Sequence, residues 1–296
     1  MTISSSVPDN HQAVQPRETT CYNSKYLAEY YDIYIGTWND IQLYDKVLNN
    51  TIASQPAEAV TVLDIGTGTG RIIHALAASP KRAPVHFLGL DIEPRMLERA
   101  QQLSDRSTIR QNNIDWILGS ADDLEALPVF QRGPFVDMLI FGCGGICHLH
   151  RPGQGERCFQ QIAKVLKPKT GRAYISVARI LSDGGEAELL ALQPPFGANA
   201  VPSKEFPGII YRETWPRHEV VDKMCYTTRH IVVSQVLTDG SERVVEHNLE
   251  AREARIWTEA DMRTMAKAAG LQVVDIIAQR NEEALDERIY VLAIDA

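Results

Sequence analysis

The chain has 296 residues, 44% of them hydrophobic and 23% charged, with a formal net charge of −8. That length suits one large domain or a core with a smaller appendage, and the acidic balance, without a dense Lys/Arg cluster, argues against a nucleic-acid partner, which would be held by its phosphates. No apolar run approaches the roughly 18 residues that span a bilayer, so no membrane partner is expected. The five cysteines are irregularly spaced and fit free thiols in a reducing, cytoplasmic setting better than a disulfide framework or a metal site.

Residues 1–20 are polar, with neither an apolar signal core nor an Arg-rich amphipathic pattern, and read as a flexible tail. An aromatic-rich helical stretch follows at 26–48. "VTVLDI" (60–65) and "VHFLGLDI" (85–92) are continuous, β-branched or apolar runs that suit strands buried on both faces. "RIIHALAAS" (71–79) and "EPRMLERAQQLS" (93–104) have helical spacing between and after them, with Pro94 suited to a first turn. "DWILGS" (115–120) is a weaker strand and "FVDMLIFG" (135–142) a strong one. "GERCFQQIAKVLKP" (155–168) reads as a helix ended by Pro168, and "GRAYISVA" (171–178) as the strand beyond it. Strands alternating with helices at this spacing imply βαβ units and a parallel sheet.

The pattern changes after residue 178. Residues 179–215 are rich in Gly and Pro. Two strand-like runs at 224–237 and 242–257 are then joined by "TDG", a hairpin signal. "TEADMRTMAKAAG" (258–270) reads as a helix, with Thr258 as N-cap, Asp261 three residues on, and Gly270 at C′. "LQVVDIIA" (271–278) and "RIYVLAI" (288–294) are the last strands. The expected architecture is α/β: a Rossmann-like, doubly wound, mostly parallel seven-stranded sheet with an antiparallel insert. Its parts are a tail (1–20), a lid and cofactor-binding core (21–178), a substrate-capping insert (179–257) and the end of the core (258–296).

The stretch "LDIGTGTG" carries the chemistry. Its glycines fall as G-x-G-x-G rather than the G-x-G-x-x-G of dinucleotide sites, and no Lys-Ser/Thr follows as in a P-loop. Asp64 heads the loop, where a carboxylate would repel pyrophosphate. A phosphate-free adenosine ligand with a cationic amino-acid end, S-adenosylmethionine, suits it better, and glycines let the backbone come close. Asp91, about 20 residues beyond the loop at the end of the second strand, suits a carboxylate that accepts from both ribose hydroxyls.

On "LDIGTGTG", the acid of "GLDIEPRML", "GSADDLEAL" (119–127) and "FVDMLIFGCGGICHL", the sequence resembles the class I S-adenosylmethionine-dependent methyltransferases. "YLAEYYDIYIGTWNDIQLYDKVL" and the loop ending His148–Leu149 resemble the small-molecule group that includes glycine N-methyltransferase-like and amino-sugar N-methyltransferases. The resemblance implies that Asp64, Gly66, Thr67, Gly68, Gly70, Asp91, Ile92, Ser120, Ala121, Asp122 and Phe141 hold the cofactor. Within that set Ile92 would lie on the adenine face, Asp122 would reach the adenine amine and Ala121 would offer its N–H. It implies methyl transfer to nitrogen or oxygen of a small-molecule acceptor, with S-adenosylhomocysteine as product and no metal.

Methyl transfer to carbon-bound nitrogen or oxygen is an in-line displacement, so positioning dominates and a base matters most for a hydroxyl acceptor. The candidate catalytic residues are His148, just past the fourth strand, and Tyr31 in the lid. The bland readings are a satisfied loop histidine and a packed tyrosine. Arg71 is either structural or a partner of the cofactor carboxylate. In the insert, Trp215, His218, Tyr226, Arg229, His230, Arg252 and Trp257 are candidate acceptor contacts. Edge pairing of the insert leaves a homodimer open. The rival readings are a protein or RNA methyltransferase, a methyltransferase-fold cyclase or pericyclase that uses the cofactor non-reactively, and a cofactor-binding regulator of a partner.

Overall fold

The computed structural model describes residues 17–19, 24–36, 38–80, 84–106, 113–182, 188, 199–214, 217–280 and 285–295. Of the expected tail, residues 1–16 lie outside the described residues, and 17–19 form a strand, β1 (Arg17–Thr19). Two helices follow, α1 (Leu27–Ile35) and α2 (Ile41–Ser54). The alternating part comprises β2 (Val60–Ile65), α3 (Arg71–Ala78), β3 (Val85–Asp91), α4 (Pro94–Arg106), β4 (Ile114–Leu118), β5 (Met138–Phe141), α5 (Gln154–Val165) and β6 (Arg172–Ala178). The insert carries β7 (Val201–Pro202), β8 (Ile209–Glu213), β9 (Arg217–Val221), β10 (Met224–Val236) and β11 (Glu242–Arg255). The chain returns through α6 (Glu259–Ala268), β12 (Leu271–Gln279) and β13 (Glu287–Ile294).

The core strands form a seven-stranded sheet in the order β12-β13-β6-β5-β2-β3-β4. Pairing is parallel from β6 through β4, and β13 runs antiparallel between β6 and β12. The β-branched, unbroken run of β2 follows from its central place. Leu63 and Ile65 pack with Phe159 and Ile162 of α5 and Met262 of α6 on one face, and Val60 and Val62 pack with Leu48 of α2 and Leu76 of α3 on the other. Burial on both faces is what removes the alternation expected of a half-exposed strand.

Local signals set several ends. The capping box of α6 is present: Thr258 Oγ1 accepts from the Asp261 N–H at 3.2 Å and Asp261 Oδ2 accepts from the Thr258 N–H at 3.1 Å. Gly270 follows with φ +73. α5 stops at Val165, before the expected Pro168. Leu166 instead bridges to Val136, and the Lys167 N–H donates to the Val136 carbonyl at 2.9 Å, so strand pairing ends the helix before the proline acts.

The insert is antiparallel, as its hairpin predicts, and larger than two strands. β11 pairs with β10, which also pairs with β8 and β9, and β7 extends β8. β1 adds to the free side of β11 in parallel, Arg17 opposite Asn248, so part of the expected tail completes the insert's sheet. Residues 183–187 and 189–198 of the Gly/Pro-rich stretch lie outside the described residues. Leu27 and Tyr30 of α1 pack against Ile209, Tyr211, Ile231 and Val233. This seats the lid helix on the insert.

Candidate active site

β2 meets β3 on one side and β5 on the other, and the chain turns from one half of the sheet to the other there. In open α/β sheets the crevice at such a switch point, beyond the strand ends, takes the ligand. The loop leaving β2 passes Gly66, Gly68 and Gly70 with φ +63, +57 and +79, a region that strains any residue with a Cβ. Gly66 and Gly68 line the cavity above the sheet. Gly70 does not. A Cβ there would sit 2.4 Å from the Trp116 ring of β4, so this glycine serves loop-to-sheet packing rather than the approach of a ligand expected from the sequence.

Asp64 is 2% exposed. Its Oδ2 accepts from Thr67 Oγ1 at 2.8 Å, and the Thr67 N–H donates to the Leu90 carbonyl at 2.9 Å. Burial pushes the Asp64 carboxyl up to about 7, against the opposing pull of the Thr67 hydroxyl and the Arg71 charge. Asp64 and Thr67 line a pocket of about 20 Å³ with Thr69 and Arg71, room for one water. They stand behind the main cavity rather than in its wall.

That cavity has a volume of about 580 Å³, within the usual range for small-molecule sites. At one end Asp91 Oδ2 accepts from the Gly68 N–H at 2.7 Å and Oδ1 from the Glu93 N–H at 2.9 Å. Burial raises the Asp91 pKa while these amides pull it back. Ile92 beside it is 65% exposed, a large apolar side chain held open at the cavity edge. Ser120 and Ala121 line the same end, and Phe141 closes the floor, its ring 3.4 Å from where a Gly66 Cβ would lie. Asp122 turns away. It accepts from Ser120 Oγ at 2.5 Å and from Arg157 of α5 at 2.8 Å, and so braces the loop instead of facing the cavity.

The lid is tied down on three sides. Asp32 accepts from Thr69 Oγ1 of the glycine loop and from Arg99 Nε of α4, both at 2.5 Å, and Arg99 reaches Glu205 of the insert at 3.0 Å. Glu29 accepts from Ser203 Oγ at 2.6 Å, the Lys204 N–H at 2.7 Å and the Tyr211 hydroxyl at 2.7 Å. These ties set Tyr31, Tyr34 and Trp38 into the cavity wall, with the Tyr31 ring against Gly68. Arg71 is engaged bidentately by Asp40, at 2.7 and 2.8 Å, and donates to Cys143 Sγ at 3.2 Å. Cys143 itself holds φ +52, a rare conformation for a non-glycine, in the loop over β5. Burial raises the Cys143 thiol pKa, against the opposing pull of the Arg71 charge, which disfavours the thiolate.

His148 follows on a short turn beyond β5, lines the cavity and is exposed. Surrounding protein atoms, then Arg252 and His150, lower its pKa from the ordinary histidine value, and its exposure to solvent tempers the effect. Of the insert candidates among the described residues, Arg252 lines the cavity. Trp257 is fully buried in the core against Phe159 and Arg229 is held between Glu213 and Glu250, while Tyr226 faces solvent. Trp215 lies outside the described residues. Sequence reading overlooked Trp38, which lines the cavity, and the Asp32–Arg99 pair, whose side-chain partners are 30 or more residues away and leave no local spacing signal.

Comparison with known proteins agrees with this fold. A family model described as a methyltransferase domain matches residues 56–204. A curated relative, the N-methyltransferase FrzE of Cladobotryum sp, is 32% identical over 290 residues, covering 91% of this chain and 96% of the relative. The sugar N-methyltransferase KedS8 of Streptoalloteichus sp ATCC 53650 superposes with a TM-score of 0.65 at 15% identity, over 100% of this chain and 99% of its own. CalS10, an amino pentose methyltransferase from Micromonospora echinaspora, does so with a TM-score of 0.60 at 15% identity, over 93% and 99%.

Proposed function

The chain belongs to the S-adenosylmethionine-dependent methyltransferases, and from that premise we propose that it methylates a nitrogen of a small-molecule amine. Residues already in place fit the cofactor. The Asp91 oxygens each keep a lone pair beyond their backbone donors and would accept from the ribose hydroxyls. Ile92 would cover one face of the adenine, with Ser120 and Ala121 at its rim. Gly66 and Gly68 would let the methionine chain pass beside Tyr31, and Asp64 would favour the cationic end from behind Thr67. When bound, S-adenosylmethionine supplies an electrophilic methyl group on a cationic sulfur.

What remains for the protein is to align the acceptor and exclude water. The loop from Gly142 to Cys147 and the lid aromatics Tyr34 and Trp38 enclose the space beyond Phe141. The nitrogen assignment rests on one observation: Arg252 and His148 line the same cavity, and the Arg252 charge lowers the His148 pKa. A cationic wall disfavours an ammonium and favours the free amine, whose lone pair is the nucleophile. A histidine whose pKa is lowered is a weaker base, which a free amine tolerates better than a hydroxyl acceptor does. The name of the 32% identical relative supports the same choice.

The test is incubation with methyl-13C cofactor and a panel of amines and phenols, followed by carbon NMR of the products. Label on nitrogen is the expected result. Label on oxygen, or an acceptor rearranged without gain of mass, overturns the proposal.

A further inference from the structure

The sheet order separates the two ends of the cavity. The residues suited to adenosine, Asp91, Ile92 and Ser120, stand at or just past the ends of β3 and β4. At the other end Ala178 closes β6 opposite Glu287 of β13, with Leu181 just after β6 and Leu285 just before β13. β5 and β2 lie between the two groups. The lid reaches this second end. The Asn39 side chain accepts from Gln279 at 2.8 Å, and Gln279 ends β12 opposite Glu287. Trp38 is its neighbour in the chain, and the Trp38 N–H donates to the Ile35 carbonyl at 3.1 Å. Tyr34, Ile35 and Trp38 line the same cavity as Ala178, Leu181 and Leu285.

What these side chains offer a ligand is carbon. Ile35, Ala178, Leu181 and Leu285 carry no polar side-chain atom. The Trp38 Nε1 is itself buried away from the space, so the ring presents its carbons. The polar side chains at this end, among the described lining residues, are Tyr34, Cys143, His148 and Arg252. Cys143 Sγ already accepts from Arg71 at 3.2 Å, and Tyr34, His148 and Arg252 each interact with other groups of the protein. A ligand hydroxyl brought here would exchange water for carbon and lose hydrogen bonds. An apolar surface brought here gains in proportion to the area it removes from water.

We propose that the acceptor carries its amine on an apolar hydrocarbon body, seated between the lid residues Tyr34, Ile35 and Trp38 and the strand-end residues Ala178, Leu181 and Leu285. The inference deepens the amine reading above and rests on it for the identity of the methylated atom. A seat of this kind orients by shape: the walls hold the body, and the amine is left on the cofactor side. It also discriminates. A single hydroxyl is rejected only weakly by an apolar pocket, but the cost recurs for each one. A polyhydroxylated ring of similar size is therefore refused although it would fit.

Binding measured by calorimetry with S-adenosylhomocysteine present tests this without turnover. The probes are benzylamine and cyclohexylmethylamine against glucosamine, compared at equal concentrations of free base. The expected result is that at least one apolar amine binds about tenfold tighter than glucosamine. Leu285→Asn and Leu181→Ala should each cut that advantage at least about threefold. Leu285 is only half-buried and precedes β13, so its substitution spares the core, and S-adenosylhomocysteine should bind both variants as it binds the parent protein. The comparison of probes on the parent protein decides the matter even where a variant fails to fold. Glucosamine bound as tightly as both apolar amines, no binding of either apolar amine, or an advantage unchanged in both folded variants would overturn the inference. A methyl label found on oxygen of an apolar acceptor would instead overturn the nitrogen assignment and leave this inference standing. Glucosamine methylated on nitrogen in preference to both apolar amines would do the reverse, so the two failures are separable.

Discussion

Single side chains here hold positions that cost the free protein stability. Asp64 is the clearest case. Its folded pKa, raised to about 7 by burial, lies above the unfolded value, so its contribution to stability is full below pH 4 and is lost as pH rises through 7. Asp64→Asn should raise the melting temperature at pH 8, because Thr67 keeps an acceptor, while S-adenosylmethionine binds at least about tenfold more weakly. Scanning fluorimetry and calorimetry would show both, and an Asn variant with unchanged affinity would remove Asp64 from cofactor binding. Gly70 makes the opposite case. Gly70→Ala should destabilise the protein by about 2–4 kcal/mol, from positive φ and overlap with Trp116, with acceptor preference unchanged. Denaturant unfolding measures it. Tyr31→Phe tests the lid phenol directly, and we expect lower turnover or weaker cofactor binding; neither change would return Tyr31 to packing alone.

At the scale of elements, α1 does the most with the least. Nine residues long, it carries Glu29 into the insert, Asp32 onto the glycine loop and α4, and Tyr31 and Tyr34 into the cavity. Burial raises the Asp32 pKa, while Thr69 and Arg99 oppose this. The clasp through Arg99 joins the cofactor loop to the insert, so opening one loosens the other. Arg99→Gln should speed dissociation of the cofactor about tenfold in stopped flow, the scale of one charged hydrogen bond, with a smaller change in acceptor KM. Equal off-rates in both proteins would show that the clasp does not hold the lid.

The whole molecule is two sheets with different tasks. The core sheet is covered on both faces and sets the strand ends over which the ligand would lie. The insert's sheet meets the lid through a smaller cluster of its own and sends Arg252 down to the cavity. Its outer edge is closed by β1, whose three residues pair with Asn248, Leu249 and Glu250. An uncovered edge exchanges its amides and invites pairing with other chains. Deleting residues 1–19 should speed hydrogen exchange around 248–250 and leave 60–65 protected, because the core sheet shares no pairing with β1. Loss of protection in both would mean that the two sheets unfold as one unit.

The sequence by itself determined the parallel core, the ends of β2 and β3, the capping box of α6 and the hairpin of the insert. Each depends on the spacing of neighbours: an apolar run buried on both faces, an acid before glycines, a threonine three residues from an aspartate. It also placed Asp91, Ile92, Phe141 and His148 at strand ends, where an open α/β sheet takes its ligands. Tertiary structure alone decided the rest. Trp116 claims Gly70, Arg157 draws Asp122 off the cavity, Val136 ends α5 early, and Trp257 sinks into the core. Trp38 and Arg252, over 200 residues apart in the chain, come to one cavity only once the lid has seated on the insert. Local spacing dictates backbone conformation through short-range sterics and hydrogen bonds. Which side chain meets which across the fold depends on how separate surfaces close, and no short window of sequence records that.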